Sequence, residues 1–187
     1  MSIELLKKSL RESSVIMKGN YPYVINPLTD GIPFIEPELL CEVTAEMKKR
    51  IEKLGSIDKI VTIEAMGIPL ATSLSLEMNI PFIIIRKRKY ELPDEVEIDQ
   101  KTGYSKSKLY INGLKKGDRV IIVDDIISTG GTLQSILTVL QKIGVDVKGV
   151  ITLVDKSENK DYINKKLNVN IESLIKLKFV NNKVLIV

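Results

Sequence analysis

The chain contains no histidine and no tryptophan, and a single cysteine, Cys41, among its 187 residues. Without histidine there is no Ser-His-Asp or Cys-His centre and no imidazole-ligated metal. One thiol makes neither an intrachain disulfide nor a thiolate zinc site; Cys41 falls in an expected helix and reads as a small core residue. Catalysis must rest on carboxylates, lysines, hydroxyls, backbone dipoles and an oxygen-liganded cation. Long apolar runs are also missing, so nothing has the roughly 20 residues a membrane span needs. The opening stretch MSIELLKKSLRESS scatters charges among its leucines, where a secretory signal has an unbroken apolar core. Nor is one sign of charge in large excess: 28 basic and 24 acidic residues are spread along the whole length. Nucleic-acid surfaces concentrate lysine and arginine on one element. The expectation is a soluble, cytoplasmic protein that binds neither nucleic acid nor membrane.

What is present suffices for one domain: 44% of residues are hydrophobic, enough for one sizeable core, with no repeat or linker to divide the chain. The spacing of Ile3, Leu6 and Leu10 predicts a short helix over 2–12. Residues 21–37 hold four prolines and should be extended or turning. Apolar positions 39, 40, 43, 47, 51 and 54 predict a helix over 38–54, with Gly55 as its cap. KIVTI (59–63), PFIII (81–85), RVIIVD (119–124) and VKGVITLV (147–154) read as buried strands. Helices are expected at about 69–78 and 132–143, and 86–108 reads as a long polar loop. Strands alternating with helices indicate an α/β fold, a mostly parallel sheet flanked by helices. Ligands of such sheets bind at the carboxyl ends of the strands.

The stretch VIIVDDIISTGGTLQSI (120–136) carries the most chemistry. A buried strand has no use for paired carboxylates, yet Asp124 and Asp125 stand at its end. Gly130 and Gly131 allow the following loop to turn its amides inward. The helix expected from Thr132 points its free N–H groups and positive dipole end at the same place. Amides and hydroxyls there can cradle a phosphate. The carboxylates would repel a polyphosphate; they suit sugar hydroxyls, or Mg²⁺ reached through water. Taken singly, each feature could be strand-end punctuation or an ordinary helix cap.

Together they resemble the phosphoribosyl-diphosphate (PRPP) motif of type I phosphoribosyltransferases. That resemblance implies the family's α/β fold with a small hood, here from about 1–37 plus C-terminal residues, in a single domain spanning 1–187. It implies that Asp124 and Asp125 contact the ribose hydroxyls as catalytic residues. Ser128, Thr129, Gly130, Gly131 and Thr132 would wrap the 5′-phosphate. It further implies Mg²⁺ bound through substrate and waters, with no direct protein ligand, and PRPP and a purine base as ligands. A homodimer is expected on the same ground.

Four more segments bear on the resemblance. IEAMG (63–67) is similar to the diphosphate loop of adenine phosphoribosyltransferases, where a strained peptide turns backbone N–H groups toward diphosphate. Ala65 and Met66 would do so here, although a plain strand-to-helix turn would also need one glycine. RKRK (86–89) could be a solvated face; placed after a strand, its Arg86 and Lys87 match the family's cation pair and would neutralise diphosphate. The loop 89–108 would be the lid that excludes water during transfer. Lys156, in LVDKSENK, resembles the lysine of xanthine phosphoribosyltransferases that donates to a purine's 6-oxo group, or else it is a surface lysine. An ammonium has donors only, so it suits an oxo-purine and disfavours adenine's amino group.

The resemblance runs from about Tyr21 to the C-terminus and looks most like the archaeal hypoxanthine/guanine enzymes. The implied activity is transfer of phosphoribosyl to N9 of hypoxanthine or guanine, in purine salvage. Adenine or xanthine is the alternative acceptor, and a PRPP-sensing transcription regulator is the alternative of another class. Residues 1–57 show no helix-turn-helix pattern for the latter. Two departures stand out. Ser128 occupies the place of the Asp that many hypoxanthine-guanine enzymes use at the base's N7 proton, and an unactivated serine is a poor base. Gly103, Tyr104 and Ser105 stand where adenine enzymes often have Glu-Tyr-Gly.

Overall fold

In the computed structural model, residues 3–19, 21–101, 106–157, 164–165, 168–180 and 183–187 are described. Helix α1 (Glu4–Glu12) leads into a hairpin of β1 (Ser14–Lys18) and β2 (Tyr21–Ile25). A four-residue helix α2 (Pro27–Asp30) and the long helix α3 (Pro37–Ile51) follow. The central unit then alternates: β3 (Lys59–Ile63), α4 (Gly67–Met78), β4 (Phe82–Ile85), a second hairpin β5 (Val96–Lys101) and β6 (Lys106–Ile111), β7 (Arg119–Ile127), α5 (Gly131–Lys142) and β8 (Asp146–Asp155). β9 (Ile171–Val180) and β10 (Lys183–Ile186) complete the sheet.

The six strands lie in the order β10-β9-β8-β7-β3-β4, parallel from β4 to β9, with β10 antiparallel at the edge. Because side chains alternate across a strand, β7 serves both faces. Ile121 and Val123 pack with α1, α3 and α4, while Val120 and Ile122 pack with α5 and the β5–β6 hairpin. Burial on both faces explains the near-continuous apolar runs from which these strands were expected.

The expected elements at 2–12, 38–54, 59–63, 81–85, 132–143 and 147–154 are present, 59–63 unchanged and the others with ends moved by at most three residues. Leu6 and Leu10 are fully buried against α3 and the sheet. Gly55 (φ 87) follows the 3-10 turn Glu52–Leu54 that closes α3.

Four expectations need correction. Cys41 is exposed: the buried stripe of α3 runs through Leu39, Val43, Met47 and Ile51, and position 41 lies on its far side. The stretch 86–108 is not one loop, because β5 and β6 pair antiparallel from Val96↔Ile111 to Lys101↔Lys106. Ile98, Leu109 and Ile111 are buried on one face of the hairpin, a pattern that the high polarity of the segment obscured. Residues 21–37 do hold a helical turn: the Asn26 side chain accepts from Leu28 N at 3.0 Å and Pro27 takes the first helical position. Finally, β7 runs on to Ile127, past the expected end at 124, so Asp124 and Asp125 lie within the strand rather than at its end.

Candidate functional site

The registers decide what meets at the carboxyl end of the sheet. β3 pairs with β7 only as far as Thr62↔Val123, whereas β8 follows β7 to Ile127↔Asp155. Asp124 and Asp125 therefore sit where one neighbour has already turned away, and their side chains are half-buried rather than enclosed. Above them opens a cavity of about 400 Å³. Asp124 to Ile127 form its floor and Ser128 to Leu133 one wall; Ile63 to Ala65 and Lys87 form the other.

The loop wall is built as the glycines require. Gly130 has φ +72 and stands at the N-cap of α5, a left-handed conformation that favours glycine. Its carbonyl accepts from Gln134 N at 2.8 Å, which starts the helix there. The first-turn amides of α5 and the hydroxyls of Ser128 and Thr129, both exposed, share one end of the cavity.

The carboxylate floor is strongly perturbed. Burial, then the negative charge of Asp125, holds the Asp124 carboxyl well above its ordinary range. Burial also raises Asp125, against hydrogen bonds from Asp124 and from backbone amides that favour its charged form. The backbone N–H of Asp125 donates to Asp124 Oδ1 at 3.0 Å. A pair of carboxyls driven up in this way is one that gains from hydroxyl donors or a cation arriving with a ligand.

On the opposite wall the Glu64–Ala65 peptide is cis, and Ala65 is exposed to the cavity. Met66 does not line it. Its sulfur and Cε approach Gly31, which caps α2, instead. Lys87 reaches the cavity and Arg86 does not: Arg86 Nε is 3.5 Å from Glu64 Oε2, and its guanidinium lies 5.5 Å from the centre of the Tyr90 ring. Arg86 is also tied through its backbone, exchanging N–H···O bonds of 2.9 and 2.7 Å with Tyr110 of β6. Lys156 lies just past β8, outside the cavity lining, with its ammonium 5.7 Å from the Tyr23 ring centre. Gly103, Tyr104 and Ser105 lie outside the described residues.

Some residues of the site escaped the sequence. Gly67 opens α4 directly against β7: a Cβ there would overlap Thr62 Oγ1 and stand 3.0 Å from Asp124 Oδ1 and 3.2 Å from the Val123 carbonyl. The glycine of IEAMG was legible as a turn residue, but its role is close approach to another strand. Glu64 was visible beside it, yet only the fold pairs it with Arg86. Tyr23 and Asp30 come from the N-terminal segment, and nothing local announces their proximity to Lys156.

Among the described residues no group of three or more acidic, cysteine or histidine side chains is placed to hold a metal, and no helix is long and apolar enough to cross a membrane. Two carboxylates beside hydroxyls and amides are a hard-oxygen donor set that fits Mg²⁺ only if a ligand supplies most of its coordination.

Residues 34–180 match the family described as the phosphoribosyl transferase domain. The chain is 48% identical over 185 residues to the hypoxanthine/guanine phosphoribosyltransferase of Methanothermus fervidus, covering 99% of this chain and 97% of that protein. It is 50% identical over 182 residues to the protein of the same name from Methanothermobacter thermautotrophicus, covering 97% and 93%. Among solved structures it is similar to adenine phosphoribosyltransferase from Leishmania donovani, with a TM-score of 0.76, 18% identity and coverage of 93% and 79%. The Saccharomyces cerevisiae adenine enzyme gives 0.75, 22%, and 92% and 97%. At such identities these structures speak for the fold alone.

Proposed function

The chain belongs to the phosphoribosyltransferase family, and on that premise we propose that it transfers the 5-phosphoribosyl group of PRPP to N9 of hypoxanthine or guanine. The products are IMP or GMP and diphosphate, a purine-salvage reaction. The observation that carries this reading is the one cavity in which Asp124, Asp125 and the loop 128–132 face Ala65 and Lys87.

In this reading the 5′-phosphate of PRPP takes the amides and hydroxyls of Ser128 to Thr132, where the helix dipole favours an anion. The ribose hydroxyls donate to Asp124 and Asp125, which relieves the burial and mutual repulsion that raise both carboxyls. Diphosphate then lies toward Ala65 and Lys87, within reach of Arg86 once that side chain leaves Glu64. As the bond from C1 to diphosphate lengthens, negative charge grows on the leaving group and positive charge on the sugar. Cations on one side and carboxylates on the other oppose both, and fixed groups do so without reorganising. Holding base and sugar in line supplies much of the remaining rate. Mg²⁺, when bound, would be carried by PRPP oxygens with Asp124 and Asp125 reaching it through water, and would neutralise the leaving diphosphate. Lys156 donates to the 6-oxo group of the base. We further propose a cytoplasmic homodimer that binds neither nucleic acid nor membrane, on the mixed charge of the chain and the family resemblance.

The test is nucleotide formation from PRPP and Mg²⁺ with hypoxanthine, guanine, xanthine and adenine supplied one at a time. Product from hypoxanthine or guanine, with little from adenine, is the expected result. Turnover of adenine alone would overturn the base assignment, and no turnover of any base would overturn the activity.

A further inference from the structure

Lys156 does not stand by itself. Its backbone is pinned, since its N–H donates to Ile127 O at 2.8 Å and the next residue's N–H and hydroxyl bind Asp155 Oδ1 at 2.7 and 2.5 Å. Its ammonium faces the Tyr23 ring of β2. The Tyr23 hydroxyl donates to Asp30 Oδ1 at 2.8 Å, and Asp30 Oδ2 accepts from Asn26 N at 3.0 Å and Thr29 Oγ1 at 2.6 Å. Asn26 is buried and donates to the hydroxyls of Ser9 and Ser13, each at 2.9 Å. The ring under Lys156 is thus moored to a carboxylate, the carboxylate to a helix cap, and the cap to the end of α1.

That arrangement answers a chemical need. A lysine is a point charge on a flexible four-carbon stem, yet telling an oxo from an amino substituent requires its nitrogen to be placed within about half an ångström. It must also stay charged, because a neutral amine could accept as well as donate. Burial lowers the affinity of Lys156 for its proton, and the negative charges of Asp30 and Asp125 work against that loss. Asp125 is one of the two carboxylates proposed to face the ribose, and its charge reaches Lys156.

We propose that Tyr23 and Asp30 are positioning residues for Lys156: the ring seats the ammonium, Asp30 fixes the ring, and preference for 6-oxo over 6-amino bases is set jointly by the N-terminal segment and the residue after β8. This rests on the reading of Lys156 as the base-binding lysine.

The experiment compares the full-length chain with Tyr23→Leu, Tyr23→Phe, Asp30→Asn and Lys156→Ala. It measures kcat and KM for hypoxanthine and adenine, KM for PRPP, and the melting temperature. Tyr23→Leu should raise KM for hypoxanthine about tenfold, the scale of a partly buried cation–π contact. The hypoxanthine-to-adenine ratio of kcat/KM should fall with it while KM for PRPP stays within about twofold. Tyr23→Phe keeps the ring and should restore most of that affinity; Asp30→Asn should fall between the two. Asp30→Asn is near-isosteric and keeps the ring, so its base ratio decides the matter if Tyr23→Leu does not fold. A changed melting temperature with an unchanged base ratio would mark a merely structural cluster and overturn the proposal. So would a ratio that moves in Lys156→Ala but in neither Tyr23→Leu nor Asp30→Asn. A wild-type chain inactive on every 6-oxo base would overturn the underlying function, and the proposal with it.

Discussion

Substituting Gly67 by alanine tests how the fold delivers the carboxylates. Gly67 is buried in the first turn of α4, beside the point where the β3–β7 ladder stops. There Thr62 Oγ1 donates to the Val123 carbonyl at 2.8 Å, with Thr62 itself fully buried. An added methyl overlaps that hydroxyl and crowds Asp124 Oδ1 and the Val123 carbonyl, at 3.0 and 3.2 Å. Either the helix backs away, at an overpacking cost of about 1–3 kcal/mol, or the hydroxyl swings off and leaves a buried carbonyl unpaired, costing about 1–3 kcal/mol. The relaxed structure takes the cheapest mixture of the two, about 2 kcal/mol. At about 2–4 °C per kcal/mol for a chain of this size, the melting temperature should fall by about 4–8 °C. Calorimetry of Gly67→Ala, Thr62→Ala and the double variant separates overlap from generic helix damage. Removing the hydroxyl makes room, so the double variant should be less destabilised than the sum of the singles by at least about 1 kcal/mol. A drop below about 2 °C, or strict additivity of the two changes, would refute the close-approach reasoning.

Asp124→Asn should trade function for stability. Its carboxyl is raised in the fold, so the stabilising neutral form is fully present below the ordinary value of about 3.9 and is lost as pH rises through the folded value. The variant should therefore melt above wild type by a margin that grows as pH rises above the ordinary carboxyl value of about 3.9 and levels off once the folded carboxyl has ionised, while transfer falls at least about 100-fold; a margin that shrinks with pH would contradict the assignment. Gly130→Ala forces a Cβ into φ +72 and should cost about 1–2 kcal/mol, with KM for PRPP rising and KM for the base unchanged in steady-state kinetics. Leu10→Ala empties a buried contact between α1 and the core and should cost about 3 kcal/mol in denaturant unfolding; a cost under about 1 kcal/mol would show that α1 is not integral to that core.

Much of the molecule was readable one segment at a time. The strands 59–63, 81–85 and 147–154 are apolar on both faces, and the helices at α3 and α5 repeat their apolar positions at helical spacing, so each carries its own burial pattern. The floor and the loop wall of the cavity lie in one stretch, 124–132, which is why paired carboxylates and a glycine loop pointed to a ligand before any fold was known. Segments whose burial depends on a partner were harder. β5 and β6 are half polar and become a sheet only by pairing with each other and covering α5. Cys41 sits in a true helix, but which face of that helix is buried is decided by where the sheet lies.

The cation stretch shows the boundary between local and tertiary information. Four consecutive charges after β4 are equivalent as text. Only the backbone bridge to Tyr110 and the acceptor on Glu64 separate Lys87, which enters the cavity, from Arg86, which does not. Tyr23, Asp30 and Lys156 likewise meet only because the N-terminal segment folds over the carboxyl end of β7. By itself the sequence determined the α/β class, the strands that carry the site and the chemistry of the 124–132 unit, because side-chain period and turn residues act over a few neighbours. The tertiary structure alone decided which wall faces that unit, how closely α4 can approach it and what lies against Lys156. Those depend on strand register and on contacts between residues far apart in the chain, and no local pattern encodes them.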